Sequence, residues 1–230
     1  MDKVLRFSSP WISWKMESWA LLIQNRKTEQ IKKEGVLYNQ GDPPEYVFLV
    51  AKGRIRITSY QASGRERQVY IAEKGCIAGT KSSILQRPHT SSAIAIVDSS
   101  IYRIRVHDFF QAMESSFPLC QSIMQMICQK QDVLCNQLLG NSFSQALQQI
   151  SRVIINLVDQ YGEPADSGIK ISIRFTHQDI AYITGISRVT VSNTFSRLAG
   201  EGLLDKQDGH LIVCNIDKLL EYAEDSENTF

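Results

Sequence analysis

Arg188, Val189, Ser192 and Asn193 share one face at helical spacing, with Val191, Phe195 and Leu198 recurring on the other. That polar face has the chemistry to read base edges. A guanidinium fork fits the O6 and N7 acceptors of guanine, a carboxamide fits N6 and N7 of adenine, and an isopropyl group packs on the thymine methyl. A second chemically pointed residue is Lys130. It interrupts the apolar series Leu119, Ile123, Met126, Ile127, Val133, Leu134 and Leu138. An ammonium buried in such a seam is costly without a partner. It either anchors an anion or snorkels to water at the helix edge. The 230 residues show no nucleophile–base motif, Walker loop or metal-ligand set, so the chain does not read as an enzyme.

The elements that must hold the base-reading face follow from local signals. Thr176 caps a helix with Asp179 three residues on, in capping-box spacing. Ile180, Ala181 and Ile183 give that helix an apolar side. Thr184-Gly185-Ile186 breaks it, Gly185 being suited to a positive φ, and Ser187 caps the next helix. Two short helices around a glycine-containing turn are either a helix-turn-helix, whose second helix enters the DNA major groove, or a hairpin that merely packs. In the first reading His177, Gln178, Ser187 and Thr190 lie at or beside helix starts and contact phosphates. Asp205 to Cys214 then reads as a two-stranded wing turning at Asp208-Gly209, and Asp217 caps a terminal helix.

Charge argues for locality. The net charge is +1, and residues 145–213 hold six Lys/Arg against seven Asp/Glu. Any affinity for DNA must come from local placement of cations and helix N-termini. The five cysteines (76, 120, 128, 135, 214) form no CxxC pair, and no apolar run approaches a membrane span. With no signal-peptide pattern at the N-terminus, the expected location is the reducing cytoplasm. Cys128 and Cys135, seven apart on the helix, are either a redox pair or small buried hydrophobes.

Upstream the texture differs. Residues 1–31 read as mostly helical, with Trp11, Trp14 and Trp19 on one helix face, stapling the segment or lining an aromatic pocket. From Ile31 to Ile104, short alternating stretches broken by Gly41-Asp42-Pro43, Gly53, Ser63-Gly64, Gly75 and Gly79 read as an all-β barrel or sandwich. A short helix begins at His107 and a long one at Pro118. Gly140-Asn141 reads as a hinge, and a further helix runs from about Ser144 to Tyr161. The apolar series on the long helix fits parallel pairing with a second copy.

Gly35, Tyr38, Gln40-Gly41-Asp42, Tyr46, Phe48, Val50, Gly53, Ile55-Arg56-Ile57, Gly75 and Gly79 resemble the cyclic-nucleotide-binding jelly roll of CRP/FNR-type bacterial regulators. The helix-turn-helix at 176–198 is similar to their output domain. The resemblance implies an α+β chain of three parts. Residues 1–106 form an effector-sensing β-roll with an N-terminal helix, 107–140 a dimerisation helix and hinge, and 141–230 a winged helix-turn-helix domain. It further implies a homodimer, double-stranded DNA and RNA polymerase as partners, a small-molecule effector, and no membrane.

The departures from the family pattern narrow the effector. The cAMP-binding members place Glu after the second barrel glycine and an Arg-Ser pair downstream; here these are Thr80 and Ser92-Ala93. The oxygen-sensing members need an N-terminal cysteine cluster, and no Cys precedes Cys76. With no cofactor called for, a small organic effector is expected, contacted by Lys130, Thr80, Lys81, Ser92 and Ile127. The Val-Thr-Val-Ser recognition stretch together with Lys130 is most similar to the CprK branch, in which a lysine meets the phenolate of halogenated phenols. A redox- or haem-based sensor on the same scaffold is the alternative, although none of the histidines (89, 107, 177, 210) has a specific signal. In the helix-turn-helix, Arg188 matches the family's base-reading arginine. Val189 stands where Glu is common and Asn193 where Arg is common, which implies an A/T-rich palindrome.

Overall fold

The computed structural model describes residues 10–61, 66–143 and 146–224, with backbone only for 136–143. The turn expected at Ser63-Gly64 lies outside these, as does the side chain of Leu138. The described residues form two compact units, Pro10–Leu134 and Cys135 onward.

In the first unit the strands are β1 (Trp11–Ile12), β2 (Glu29–Ile31), β3 (Val36–Tyr38), β4 (Tyr46–Lys52), β5 (Ile55–Tyr60), β6 (Glu66–Ala72), β7 (Ile77–Ala78), β8 (Ser92–Ala95) and β9 (Ser99–Arg105). One sheet has the order β1-β6-β5-β8-β3 and the other β2-β9-β4-β7. Leu49, Ile77, Ile101 and Ile104 are fully buried in the core between them. Each such side chain removed from water contributes about 1.5–3 kcal/mol.

The N-terminal expectation is corrected. Trp11–Ile12 is a strand, paired parallel with Ile71–Ala72, and Glu29–Ile31 pairs with β9. Among the described residues of that segment only a 3-10 turn (Met16–Trp19) and the short helix α1 (Ala20–Ile23) are helical. The three tryptophans therefore share no helix face. Trp19 still acts as a staple: it is fully buried, and its Nε1 donates to the carbonyl of Gly75 at 2.7 Å. Gly75 has φ +84, and a Cβ there would lie 1.9 Å from the carbonyl oxygen of Trp14. The residue is fixed as glycine by that approach.

Helix α2 (Thr80–Leu85) follows β7, and α3 (Val106–Ser115) follows β9. Helix α4 (Phe117–Phe143) is 27 residues long and runs through Gly140-Asn141 as helix, so the expected break at that pair is absent. The apolar series also divides. Leu119, Ile123, Met126 and Val133 join the core of the β-unit, with Ile127 packed at its margin. Among the described side chains of α4, the large apolar ones left exposed are instead Phe117, Met124 and Leu134. The densest apolar spacing thus marks the face turned to the chain's own sheets, and a narrower second stripe is left to solvent.

The second unit holds α5 (Ala146–Tyr161), the strands β10 (Gly162–Ala165) and β11 (Gly168–Ile171), α6 (His177–Thr184) and α7 (Arg188–Gly200). It ends with β12 (Leu204–Gln207), β13 (His210–Val213) and α8 (Ile216–Ala223). Its sheet has the order β10-β11-β13-β12. Strand β10 begins directly after α5, where only a helix stop had been expected. Ile150, Ile154 and Leu157 on α5 are buried, as are Val191 and Leu198 on α7 and Ile180 on α6. Helix α8 is capped by Asn215, whose side chain accepts from the amide of Lys218, and not by Asp217, which sits in the first turn.

Candidate functional site

Lys130 is 8% exposed. Its Nζ donates to the carbonyl of Ile77 at 2.6 Å and to Thr80 Oγ1 at 3.2 Å. It also stands 5.4 Å from the centre of the Tyr70 ring, a cation–π contact. Among the described residues no carboxylate pairs with it. Burial lowers its pKa from the usual lysine value, with nearby Cys76 opposing. The ammonium thus points inward, and the snorkelling alternative does not hold. Cys76 is buried, and burial raises its thiol pKa. Burial likewise raises the pKa of Tyr70 and Tyr38, so both phenols stay neutral.

Strand register also gathers a buried polar row in the β-roll. Thr58 pairs with Gln68 on β6 and with Ser92 on β8. All three are at most 4% exposed. Tyr70 pairs with Ile57 and Gln68 with Thr58, so a bulge at Val69 separates the two on β6. The Gln68 Nε2 has no hydrogen-bond partner among the described residues, which is a buried donor left open. Ser92 Oγ accepts from the amide of Gln40 at 2.9 Å.

Of the five expected effector contacts, the structure brings Lys130 and Thr80 together, while Ser92 is buried in the row with Thr58 and Gln68. Ile127 is half-buried on α4. Lys81 is exposed and bonds Thr90 Oγ1. Gln68, Tyr70 and Cys76 had not been anticipated. Of the histidines, His89 is buried and stacked on Tyr38 at 3.8 Å between ring centres, while His107 is exposed. Cys128 and Cys135 are exposed, so the buried-hydrophobe reading of them is corrected.

In the second unit the capping box forms as read. The Thr176 side chain accepts from the Asp179 amide, and an Asp179 carboxylate oxygen accepts from the Thr176 amide at 2.7 Å. Gly185 follows α6 at φ +72. Ser187 caps α7 by accepting from the Thr190 amide at 3.1 Å, and the two hydroxyls bond each other at 2.8 Å. Arg188, Thr190 and Asn193 are exposed and Ser192 is half-buried. Val189 is 70% exposed, so its isopropyl group is open to an apolar contact such as a thymine methyl.

Beside α7 lies a cleft of about 300 Å³, lined by Phe175, His177, Phe195, Leu204, Asp205 and Lys206 among others. His177 stacks on Phe195 with 4.8 Å between centres. Arg174 Nη2 donates to the carbonyl of Asp208 at 3.2 Å and so holds the turn between β12 and β13.

Residues 28–116 match the cyclic nucleotide-binding domain model, and residues 148–222 match the Crp-like helix-turn-helix domain model. Together these cover well over half of the chain. The protein belongs to the CRP/FNR family of transcription regulators. It is a non-enzymatic, effector-controlled DNA-binding regulator. Among relatives, it is 24% identical over 176 residues to the transcriptional regulatory protein btr of Bordetella pertussis, covering 76% of this chain and 72% of btr. The structure of FixK2 from Bradyrhizobium japonicum superposes with a TM-score of 0.76 at 18% identity, covering 87% of this chain and 98% of that one. CprK in its OCPA complex gives 0.74 at 19% identity, covering 94% and 99%. The two scores are nearly equal, so the fold alone selects no branch of the family. No helix among the described residues is long and apolar enough to cross a membrane.

Proposed function

We propose that this regulator is controlled by a small aromatic organic anion, of the phenolate type, seated against Lys130. The single observation that carries this reading is a buried ammonium without a carboxylate partner. Its present acceptors, a carbonyl and a hydroxyl, are neutral, and an anion would add the charge-assisted contact that the site lacks. The ring of Tyr70, 5.4 Å from the ammonium, adds an aromatic contact of the same character. Cyclic AMP is disfavoured by Thr80 and by Ser92-Ala93, since no guanidinium stands where its phosphate would bind. CprK, the neighbour solved with OCPA, is consistent with an organic ligand in this fold.

The regulator acts as a cytoplasmic homodimer on an A/T-rich palindrome, with Arg188, Val189, Ser192 and Asn193 at base edges and Gln178, Ser187 and Thr190 near phosphates. Half-sites would lie about 34 Å apart. Phe117, Met124 and Leu134 on the outer stripe of α4 are the contacts to the second copy. Helix α4 touches the Lys130 site on one face and continues in sequence toward the DNA-reading unit. Effector binding shifts the balance of two conformations by the difference in its affinity for them. Activation through RNA polymerase is the expected outcome.

Calorimetry with chlorophenols and with cyclic nucleotides tests the effector. Binding of a chlorophenol that is lost in Lys130→Ala supports the reading, and tight cAMP binding overturns it. Footprinting with and without the bound ligand tests control.

A further inference from the structure

The cleft beside the recognition helix is where cations converge in a unit whose overall charge gives DNA no welcome. His177 is the first residue of α6, after its capped N-terminus. Facing it from α7 are Phe195 and Arg188, and from β12 Lys206 and Asp205, while Arg174 of the preceding segment lies against Gly209 in the wing turn. On its own helix Asp179 is engaged by the capping box, and Asp205 Oδ1 accepts from the amide of Lys206 at 2.7 Å. His210, the other histidine of this unit, is turned away, with Nδ1 3.0 Å from the carbonyl of Ile171.

We propose that His177 takes up a proton when a DNA phosphate docks at the mouth of this cleft, so that DNA affinity is linked to pH. The inference rests on the helix-turn-helix reading and deepens it by assigning His177 a second role beyond positioning. In the free protein the apolar wall of Phe195 and the neighbouring Lys206 and Arg188 all disfavour the imidazolium. Burial is the larger cause, and the two cations follow, so the pKa lies below the usual histidine value. A phosphate reverses the balance. It neutralises Lys206 and offers His177 an acceptor, while the N-terminus of α6 already favours an anion there.

The sign follows from linkage. The imidazole pKa is low in the free protein and raised in the complex, so the complex holds more protons between the two values. Affinity therefore climbs as pH falls through the complex's pKa, and levels off below that of the free protein. Each unit of rise corresponds to about a tenfold gain. The phosphate contact carries no sequence information, so the probe is double-stranded poly(dA-dT) with the full chain.

Affinity is measured from pH 8 to pH 5.5 for the wild type, His177→Gln and His177→Lys. The expected result is a wild-type affinity that rises about tenfold on acidification, a flat His177→Gln profile, and tight, flat binding by His177→Lys. NMR titration of the His177 ring with and without DNA should show the pKa moving up. Parallel slopes in the wild type and His177→Gln, or a ring pKa that DNA leaves unmoved, overturn the proposal. Failure to bind the duplex at any pH would instead overturn the DNA-reading assignment itself.

Discussion

Lys130 Nζ lies 2.6 Å from the carbonyl oxygen of Ile77, across 53 residues of sequence. A cation reaching from helix α4 into a strand of the β-roll, with only neutral acceptors, is destabilising in the free protein. Replacing even a paired buried charge by apolar side chains is often neutral or stabilising by about 1–4 kcal/mol, and here about 1 kcal/mol is lost for the carbonyl left unpaired. Lys130→Met is therefore expected to raise the melting temperature of the ligand-free protein and to lose effector binding. Thermal denaturation and calorimetry on the same sample check both halves.

The same lysine gives the free protein a pH signature. Burial lowers its pKa in the folded state below the unfolded value. Between the two, the unfolded chain holds the extra proton, so stability rises with pH across that window and levels off above the unfolded lysine pKa of about 10.4. An anionic effector favours the charged form, so its binding flattens the slope. Denaturant midpoints measured from neutral pH to pH 10, with the effector and without, should diverge most at the lower end. Lys130→Met should show no such slope.

Helix α4 presents two apolar faces, and they predict opposite outcomes. Met124 is 51% exposed, whereas Ile123 is 1% exposed in the core. Met124→Lys should leave each folded chain intact and weaken self-association in sedimentation analysis. Ile123→Ala should lower folding stability by about 2–5 kcal/mol through the cavity it leaves. Equal association of the wild type and Met124→Lys would remove the outer stripe as the dimer contact.

Much of this was legible where signals are local. Thr176, Asp179, Gly185 and Ser187 act within four residues of their targets, so caps and turn could be read directly. Strand pairing is not local. Trp11-Ile12 is helical by spacing and becomes a strand because β6 offers a parallel edge. On α4 the periodicity was right, but spacing cannot tell a core sheet from a second helix as the partner. Gln68 was passed over because a glutamine in an alternating strand looks solvent-facing. Only the buried row with Thr58 and Ser92 reveals which face it occupies.

Thr176 links stability to DNA reading. Thr176→Ala removes the oxygen that accepts from the Asp179 amide at 3.2 Å and the hydroxyl that donates to Asp179. Loss of such a cap costs about 1 kcal/mol. Fraying of the first turn of α6 also frees His177 from Phe195, so DNA affinity should fall together with stability. Thr176→Ser should preserve both in chemical denaturation and DNA-binding titrations.

Arg188 and Lys206 should separate specificity from attraction. Arg188 is exposed at the first turn of α7, and Lys206 is exposed on the wing strand β12 beside the cleft. Arg188→Ala is expected to cost about 1–3 kcal/mol on the selected site and to relax preference at one base pair in each half-site. Lys206→Ala should weaken all sequences alike and reduce the slope of log affinity against log salt by about 1 per neutralised phosphate. Binding-site selection and salt titrations on both variants distinguish the roles. A uniform loss in Arg188→Ala, with sequence preference unchanged, would assign that guanidinium to the backbone and move base reading to Ser192 and Asn193.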